Sequence, residues 1–152
     1  MTSWILRPAS RSDAQALGAC MRDAYSTYEA RLPDLPAVAE GIADDIENHL
    51  VWVAESEKRI IAGVVLIAYA DHAVLANIAV ESRSAGLGLG RALIQLVQAE
   101  CRARGLYELR LSTHVGIPEN VSLYQRLGWH ETGRIGNKVH MTKTLNSSAV
   151  SP

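Results

Sequence analysis

A glycine-rich stretch near the middle of the chain follows an apolar segment and could bind an anionic group. Gly86, Gly88 and Gly90 alternate with other residues in the stretch from Asn77 to Ala92. Glycine lacks a Cβ atom, so the backbone can adopt positive φ there and a ligand can approach its amides closely. A helix that begins at this point adds N–H groups without internal partners and the positive end of its dipole. The pattern therefore predicts a cradle for the phosphates of a ligand.

The spacing of the glycines shows which of the known phosphate-binding patterns this chain can match. The dinucleotide-binding pattern G-x-G-x-x-G fails in both registers, because arginine or leucine stands where the third glycine belongs. A Walker A loop needs Lys and then Ser or Thr after its last glycine, whereas Gly90 is followed by Arg and Ala. What the chain does contain is Arg83-x-x-Gly86-x-Gly88. A glycine loop that binds no ligand is the alternative at this point.

A second pattern follows the glycine loop and reads Asn120-Val-Ser-Leu-Tyr124-Gln-Arg-Leu-Gly128-Trp129. A proline just before it opens a short helix. Asn120 and Tyr124 are four residues apart, so their side chains lie on one face of that helix. An amide that binds a ligand and a phenol that donates a proton could therefore act at one site. The alternative for Tyr124 is a tyrosine of the core.

Together the two patterns resemble the GNAT superfamily of acyl-CoA-dependent N-acyltransferases. The first is similar to the family's (Gln/Arg)-x-x-Gly-x-(Gly/Ala) signature. The second is similar to its Asn-x-x-(Ala/Leu)-x-x-Leu-Tyr-x-x-x-Gly-(Phe/Trp) segment, with a shorter gap between asparagine and tyrosine. The resemblance covers about residues 4–145. It implies the GNAT fold, an α/β (α+β three-layer) architecture. Its mixed, mostly antiparallel sheet has a parallel, splayed pair of strands and helices on both faces.

The resemblance also implies where the cosubstrate acetyl-CoA binds. The glycine loop would hold the pyrophosphate, and the preceding strand would pair with the pantetheine arm like an added strand. Asn120 would contact the coenzyme and Tyr124 would lie near the thioester sulfur. The implied coenzyme-binding residues are Ile78, Ala79, Val80, Arg83, Ser84, Ala85, Gly86, Leu87, Gly88, Leu89, Gly90, Arg91, Asn120 and Tyr124.

The implied reaction is attack of a neutral amine on the thioester carbonyl. It requires loss of a proton from the acceptor ammonium, an N–H group that meets the oxyanion, and protonation of the leaving thiolate. A backbone amide near Ile78 to Val80 is expected to meet the oxyanion. Tyr124 is the expected acid, since a phenol with a pKa of roughly 10 can serve a thiol at roughly 8.5. Asn77 is expected to mark the splay or face the acceptor, with bonding to local backbone groups as the alternative.

The sequence does not identify the general base. Charged or titratable side chains flank the expected strand or lie in the first two helices: Asp71, His72, Glu81, Glu29, Glu40 and Asp45. The histidines show no metal-ligand spacing, so we expect no metal. The acceptor, the oligomeric state and the use of acyl groups longer than acetyl also stay open.

These residues need a framework of strands and helices that brings them together. Hydrophobic periodicity predicts helices after Ser10 or Ser12 and over residues 37–48, 89–104 and 118–127, with Val38, Ile42 and Ile46 facing the core. It predicts strands over residues 4–6, 50–54, 60–68, 73–80, 107–112, 129–132 and 139–145. A strand, a helix and a further strand form a right-handed crossover, so strands 73–80 and 107–112 should be parallel.

Composition limits the kinds of partner. With 152 residues we expect a single domain with a flexible tail over residues 146–152. The net charge of −1, without a basic run, argues against nucleic acid, and no apolar stretch predicts a membrane span. Cys20 and Cys101 lack ligand spacing and are expected to pack in a reduced, cytoplasmic protein. A homodimer is possible for a chain of this kind.

We therefore expect an acetyl-CoA-dependent N-acetyltransferase that acts on a primary amine of a small molecule or peptide. A noncatalytic acyl-CoA-binding or sensor module of the same fold is the alternative, against which Tyr124 argues.

Overall fold

The structure is a computed structural model that describes residues 3–29, 32 and 41–146. One seven-stranded sheet has the order β1-β2-β3-β4-β5-β7-β6. The strands are β1 (Ile5–Pro8), β2 (Leu50–Ser56), β3 (Arg59–Ala68), β4 (Ala73–Val80), β5 (Glu108–His114), β6 (His130–Ile135) and β7 (Lys138–Thr144). The α-helices are α1 (Ala14–Glu29), α2 (Ile42–Asn48), α3 (Leu89–Ala103) and α4 (Pro118–Arg126).

Helices cover both faces of this sheet. On one face, Leu17 and Met21 of α1 and Ile42 of α2 pack against strand residues such as Val65. On the other face, α3 and α4 build a larger core, in which Leu93 and its neighbours meet apolar residues of β3, β5 and β7. The predicted three-layer α/β architecture is therefore confirmed.

Among the described strands, β4 and β5 form the one parallel pair, and every other pairing is antiparallel. Helix α3 connects them, as the sequence predicts for a right-handed crossover. The glycine loop lies in this connection, so it is carried to the end of β4 and the start of α3.

Several element bounds differ from the predicted ones. β1 continues through Pro8 because an edge strand tolerates a residue without an N–H group. Before α1, residues 11–13 form a turn of 3₁₀ helix, and the Ser10 N–H donates to the Asp13 carboxylate at 2.7 Å. α2 begins after Gly41, where φ is +81°. The predicted helical start at Ala37, Val38 and the tail from residue 147 lie outside the described residues.

Candidate active site

The site begins where β4 and β5 separate. These strands pair only through Ala73 with Leu109 and Val74 with Arg110. On its other side, β4 stays paired with β3, but the register skips Ala76, which forms a β-bulge beside Asn77. Beyond the bulge, backbone groups of β4 that point toward β5 are released from the sheet ladder, and such groups require other partners. The predicted splay therefore lies at Asn77.

A cavity of about 570 Å³ occupies this gap, and we call it the central cavity. Residues of α1 close it on one face of the sheet, and residues of α3 and α4 line it on the other. The sequence-predicted site residues that line it are Asn77, Ile78, Ala79, Val80, Ser84, Ala85, Gly86, Gly88, Leu89, Gly90, Arg91, Asn120 and Tyr124. The fold thus brings together two sequence patterns that are about thirty residues apart, while the roles of these residues stay predictions.

The glycine loop has the backbone geometry of an anion cradle. Gly86 and Gly88 have φ of +86° and +78°, a region that L side chains rarely adopt. Gly88 is the N-cap of α3 and its carbonyl accepts from the Ala92 N–H at 3.0 Å. The preceding N–H groups of this helix have no partners within it. Gly90 lies inside the first turn with ordinary backbone angles, so its lack of a Cβ leaves open space rather than relieving strain.

Two carboxylates hold the loop that leads into the cradle. Glu81 is buried and accepts from the Arg59 guanidinium at 2.6 and 2.8 Å and from the Ser84 hydroxyl at 2.8 Å. Burial opposes ionisation of Glu81, but the Ser84 and Arg59 hydrogen bonds outweigh it and hold its pKa below the usual value. Asp23 of α1 accepts from the Ser82 N–H at 2.7 Å. The cradle is therefore fixed to both β3 and α1.

Arg83 and Leu87 are not among the residues that line the central cavity. The Arg83 guanidinium donates to Glu81 at 3.3 Å and its side chain borders a separate groove beside α1. Leu87 is 40% exposed at the tip of the loop. These two predicted coenzyme-binding residues therefore lie outside the wall of the central cavity.

Asn77 faces α1 rather than local backbone. Its side-chain oxygen accepts from the Tyr25 hydroxyl at 3.2 Å, and its amide nitrogen lies 3.5 Å from the sulfur of Met21. Tyr25 packs edge-on against Tyr28, and both rings line the cavity. Asn77 therefore lines the gap from the side of the sheet that α1 covers.

Tyr124 lies on the opposite face of the gap. Its ring is 7% exposed and packs edge-on against Trp129 at 5.7 Å between centroids. Burial, with smaller contributions from Tyr25 and Tyr28, raises the pKa of Tyr124 above the usual value for a phenol. Among the described residues, its hydroxyl has no hydrogen-bond partner. The phenol therefore stays protonated and can donate to a group in the cavity.

Asn120 is held in place one helical turn before Tyr124. Its side-chain amide donates to the Thr113 hydroxyl of β5 at 3.3 Å, and its backbone N–H donates to the Ile117 carbonyl at 3.0 Å. Both Asn120 and Tyr124 line the central cavity. The structure therefore places them on one helix face, as the four-residue spacing predicts.

The carboxylates and histidines considered as general bases do not line this cavity. Among the described residues, no aspartate, glutamate or histidine is part of its wall. Glu81 forms an ion pair with Arg59. Asp71 and His72 lie just before β4, and the Asp71 Oδ1 is 2.6 Å from the His72 Nδ1. Asp45 lies on α2, away from the cavity. Glu40 and the side chain of Glu29 lie outside the described residues.

Residues of β5 are the main addition to the sequence-derived site. Ser112 and Thr113 line the central cavity, and Ser112 shares a hydrogen bond of 2.9 Å with His140 of β7. Ser112 and His140 belong to no sequence motif, so their pairing is seen only in the register of β5 against β7.

In the part of the chain that the structure describes, no group of three or more His, Cys, Asp or Glu residues could hold a metal ion. None of the described helices is long and apolar enough to cross a membrane.

We compared the chain with known families and proteins. The model of the acetyltransferase (GNAT) family matches residues 16–129. No curated protein matches the chain in sequence.

Solved structures give the same fold. The PaiA N-acetyltransferase of Thermoplasma acidophilum, in complex with coenzyme A, has a TM-score of 0.84 at 18% identity and covers 93% of this chain and 99% of its own. The ribosomal-protein-S18-alanine N-acetyltransferase of Escherichia coli has a TM-score of 0.78 at 21% identity, with 94% of each chain covered. The aminoglycoside 6'-acetyltransferase type Ii has a TM-score of 0.74 at 19% identity, with 92% and 96% covered.

Proposed function

The chain belongs to the acetyltransferase (GNAT) family, and on that basis we propose that it transfers the acetyl group of acetyl-CoA to a primary amine. The observation that carries this proposal is the gap between β4 and β5. It joins a positive-φ glycine cradle to a buried phenol through one cavity of about 570 Å³. A coenzyme fixed at the cradle would extend its pantetheine arm along the free edge of β4 toward Tyr124.

Two of the three chemical requirements of the transfer, the oxyanion donor and the acid, have a candidate group. A backbone N–H from Ile78 to Val80, released from the sheet by the splay, would meet the oxyanion. The Tyr124 hydroxyl would protonate the departing thiolate, because burial keeps the phenol in its acid form. The amine would enter from the opposite face, beside Asn77. Donor and acceptor would therefore meet inside the sheet.

Direct attack is favoured over an acyl-cysteine intermediate. Burial, followed by the nearby charges of Glu81 and Asp23, raises the pKa of Cys20 to about 12. Burial likewise raises the pKa of Cys101 to about 11. The thiolate is the nucleophilic form of cysteine, so both residues are poorly reactive at neutral pH. Neither lines the central cavity, which supports a role in packing, and unpaired cysteines are consistent with our proposal of a cytoplasmic location.

The similar structures support the class of substrate. One of them was solved with coenzyme A, and two carry names that state acetylation of a protein alanine and of an aminoglycoside. Both kinds of acceptor have amino groups. We propose an amine acceptor here because both of those acceptors react through nitrogen, and a neutral amine is a good nucleophile toward a thioester without a covalent enzyme intermediate.

Turnover with a panel of amines tests the proposal. Acetyl-CoA is incubated with the protein and, in turn, an alanine-terminated peptide, a lysine peptide, a polyamine and an aminoglycoside. Released thiol and product mass are recorded, and the alcohol matched to the best amine serves as control. We expect thiol release that depends on the amine and an acetylated product. Tight acetyl-CoA binding without turnover on any amine would favour a noncatalytic binding module.

A further inference from the structure

We propose that Ser112 and His140 form the proton relay that deprotonates the acceptor amine, which rests on the proposed function and identifies the missing base. An ammonium must lose its proton before its nitrogen can attack. Among the described residues, the wall of the central cavity has no carboxylate or imidazole. A described base must therefore lie behind the wall and take the proton through a neutral side chain of the wall. A hydroxyl that lines the cavity and hydrogen-bonds a titratable side chain meets this requirement.

The position of Ser112 fits the acceptor side of the gap. Its neighbours Leu109 and Leu111 are buried in the core on the α3 side, so strand alternation points Ser112 to the other face, the one that Asn77 shares with α1. Ser112 comes two residues after the last parallel pair, Val74 with Arg110, and therefore lies on the part of β5 that is separated from β4. Ser112 and Asn77 therefore line the central cavity from the same side of the sheet, and Tyr124 lines it from the other.

His140 is the direct cross-strand partner of Ser112. The two residues are paired in the register of β5 and β7, and the Ser112 Oγ lies 2.9 Å from the His140 Nδ1. His140 borders a shallow pocket on the open face of the sheet, and Ser112 and Leu111 line both that pocket and the central cavity. A proton that leaves the cavity through Ser112 therefore reaches a group in contact with solvent.

A second hydroxyl of the wall also bonds a titratable group, but it suits the task less well. Ser84 donates to Glu81 at 2.8 Å beside the glycine loop, where the phosphates are expected. Glu81 already accepts from Arg59, and its lowered pKa makes it a weak base. Ser112 lies on the side of the sheet from which we expect the acceptor, and histidine has the ordinary pKa closest to neutrality.

The relay balances in atoms and charge. The acceptor N–H proton passes to the Ser112 Oγ as the serine proton passes to the His140 Nδ1, which becomes an imidazolium and releases its proton to solvent. The neutral amine then forms the C–N bond, the C–S bond breaks, and the thiolate takes the Tyr124 proton. The second proton, which the nitrogen loses as it becomes an amide, passes through solvent to the Tyr124 phenolate and restores the phenol. By register and alternation, the described titratable side chains that share this face with His140 are Glu108, Arg110, His114, His130 and Lys138, and Tyr69 and His72 border the same pocket. Arg110 forms an ion pair with Glu108.

Kinetics against pH test the relay. We expect His140→Gln and Ser112→Ala to lower kcat/KM for the best amine of the panel by about tenfold or more near pH 7. The deficit should shrink below about threefold near pH 9.5, because free amine then forms without the relay. Ser112→Thr keeps the hydroxyl and should recover most of the activity that Ser112→Ala loses. His130→Gln, on the same face of the sheet but not paired with Ser112, is the matched control.

The tautomer of His140 tests the same claim without turnover. The relay needs an unprotonated Nδ1 that accepts from Ser112, which ¹⁵N NMR of the labelled protein reports directly. A dominant Nδ1–H tautomer, or a kinetic deficit that stays constant with pH, would overturn the relay while leaving the proposed function intact. A wild-type protein that acetylates no amine would contradict the proposed function, and the NMR result would still decide whether Ser112 can pass its proton to His140.

Discussion

The hydroxyl of Tyr25 donates to the side-chain oxygen of Asn77 at 3.2 Å, across 52 positions of sequence. This bond ties the middle of α1 to the bulge in β4, at the mouth through which we expect the amine to enter. Burial, and to a smaller extent Tyr28, raises the pKa of Tyr25, so the hydroxyl stays a donor at neutral pH. The bond therefore positions Asn77 relative to the gap.

Removing this hydroxyl should affect the acceptor more than the coenzyme. We expect Tyr25→Phe to raise KM for the amine by about threefold to tenfold and to lower the free energy of unfolding by about 0.5–1.5 kcal/mol, the usual value of one hydrogen bond. KM for acetyl-CoA should change less than about twofold. Tyr107→Phe, at a 38% exposed residue outside the cavity, is the control. Equal changes in both KM values would contradict the placement of the acceptor beside Asn77.

Tyr124→Phe removes a hydroxyl without removing the ring. Because the ring packing against Trp129 is retained, we expect thermal stability and acetyl-CoA affinity to stay close to wild type. The loss should appear in kcat, with a fall of at least about tenfold if the phenol is the general acid. Acyl donors with more acidic thiols should show a smaller deficit. A variant with wild-type kcat would remove Tyr124 from the mechanism.

The raised pKa of Tyr124 predicts the alkaline behaviour of the enzyme. Activity that depends on the protonated phenol is retained until pH exceeds the pKa in the folded protein, which lies above the reference value of 10. We therefore expect no fall in kcat from this group between about pH 7 and 10. A profile of kcat against pH checks this. A decline below about pH 9 that disappears in Tyr124→Phe would show that the phenol ionises too easily.

Glu81→Gln should loosen the cradle. The substitution keeps a polar side chain of similar shape but loses the charge-assisted bonds from Arg59, so we expect the free energy of unfolding to fall by about 1–3 kcal/mol and KM for acetyl-CoA to rise. Glu131→Gln removes an exposed ion pair with Arg134 and is the matched control.

The pH dependence of this difference has a definite sign. The folded pKa of Glu81 is depressed, so its contribution is complete above its ordinary value of 4.5 and is lost as pH falls through the folded pKa. The stability gap between wild type and Glu81→Gln should therefore shrink below about pH 4.5 in denaturation experiments. A gap that widens in acid would contradict the ionised state of Glu81.

Local patterns were sufficient to predict the elements and the parallel pair. Hydrophobic periodicity in the long helix, the glycine after it and the β-branched residues of β3 act over short distances, and their physics does not depend on distant partners. The bounds differ by a few residues, as at Pro8, because pairing with a neighbour decides where a strand ends. The same locality explains why positive φ could be predicted from the types of Gly86 and Gly88, whereas phosphate binding there stays a prediction.

Contacts between distant elements could not be predicted in this way. The Ser112 and His140 pair depends on the register of β5 and β7, and the Tyr25 bond depends on how α1 lies across the sheet. Glu81 was considered as a base from its position after β4, whereas the structure shows a carboxylate held by Arg59. Sequence spacing indicates which side chains share an element, but tertiary packing determines which ones meet.

The most direct test of the account is calorimetric binding of acetyl-CoA to Gly88→Val, with Gly105→Val as the matched control. Gly88 and Gly105 have similar φ, +78° and +73°, and open space where a Cβ would stand, so valine strains the backbone at both. Only Gly88 lines the central cavity. We predict that Gly88→Val remains folded and loses affinity by at least about tenfold, or about 1.4 kcal/mol, while Gly105→Val stays within about twofold of wild type. Unchanged binding in folded Gly88→Val, or an equal loss in both variants, would contradict the cradle.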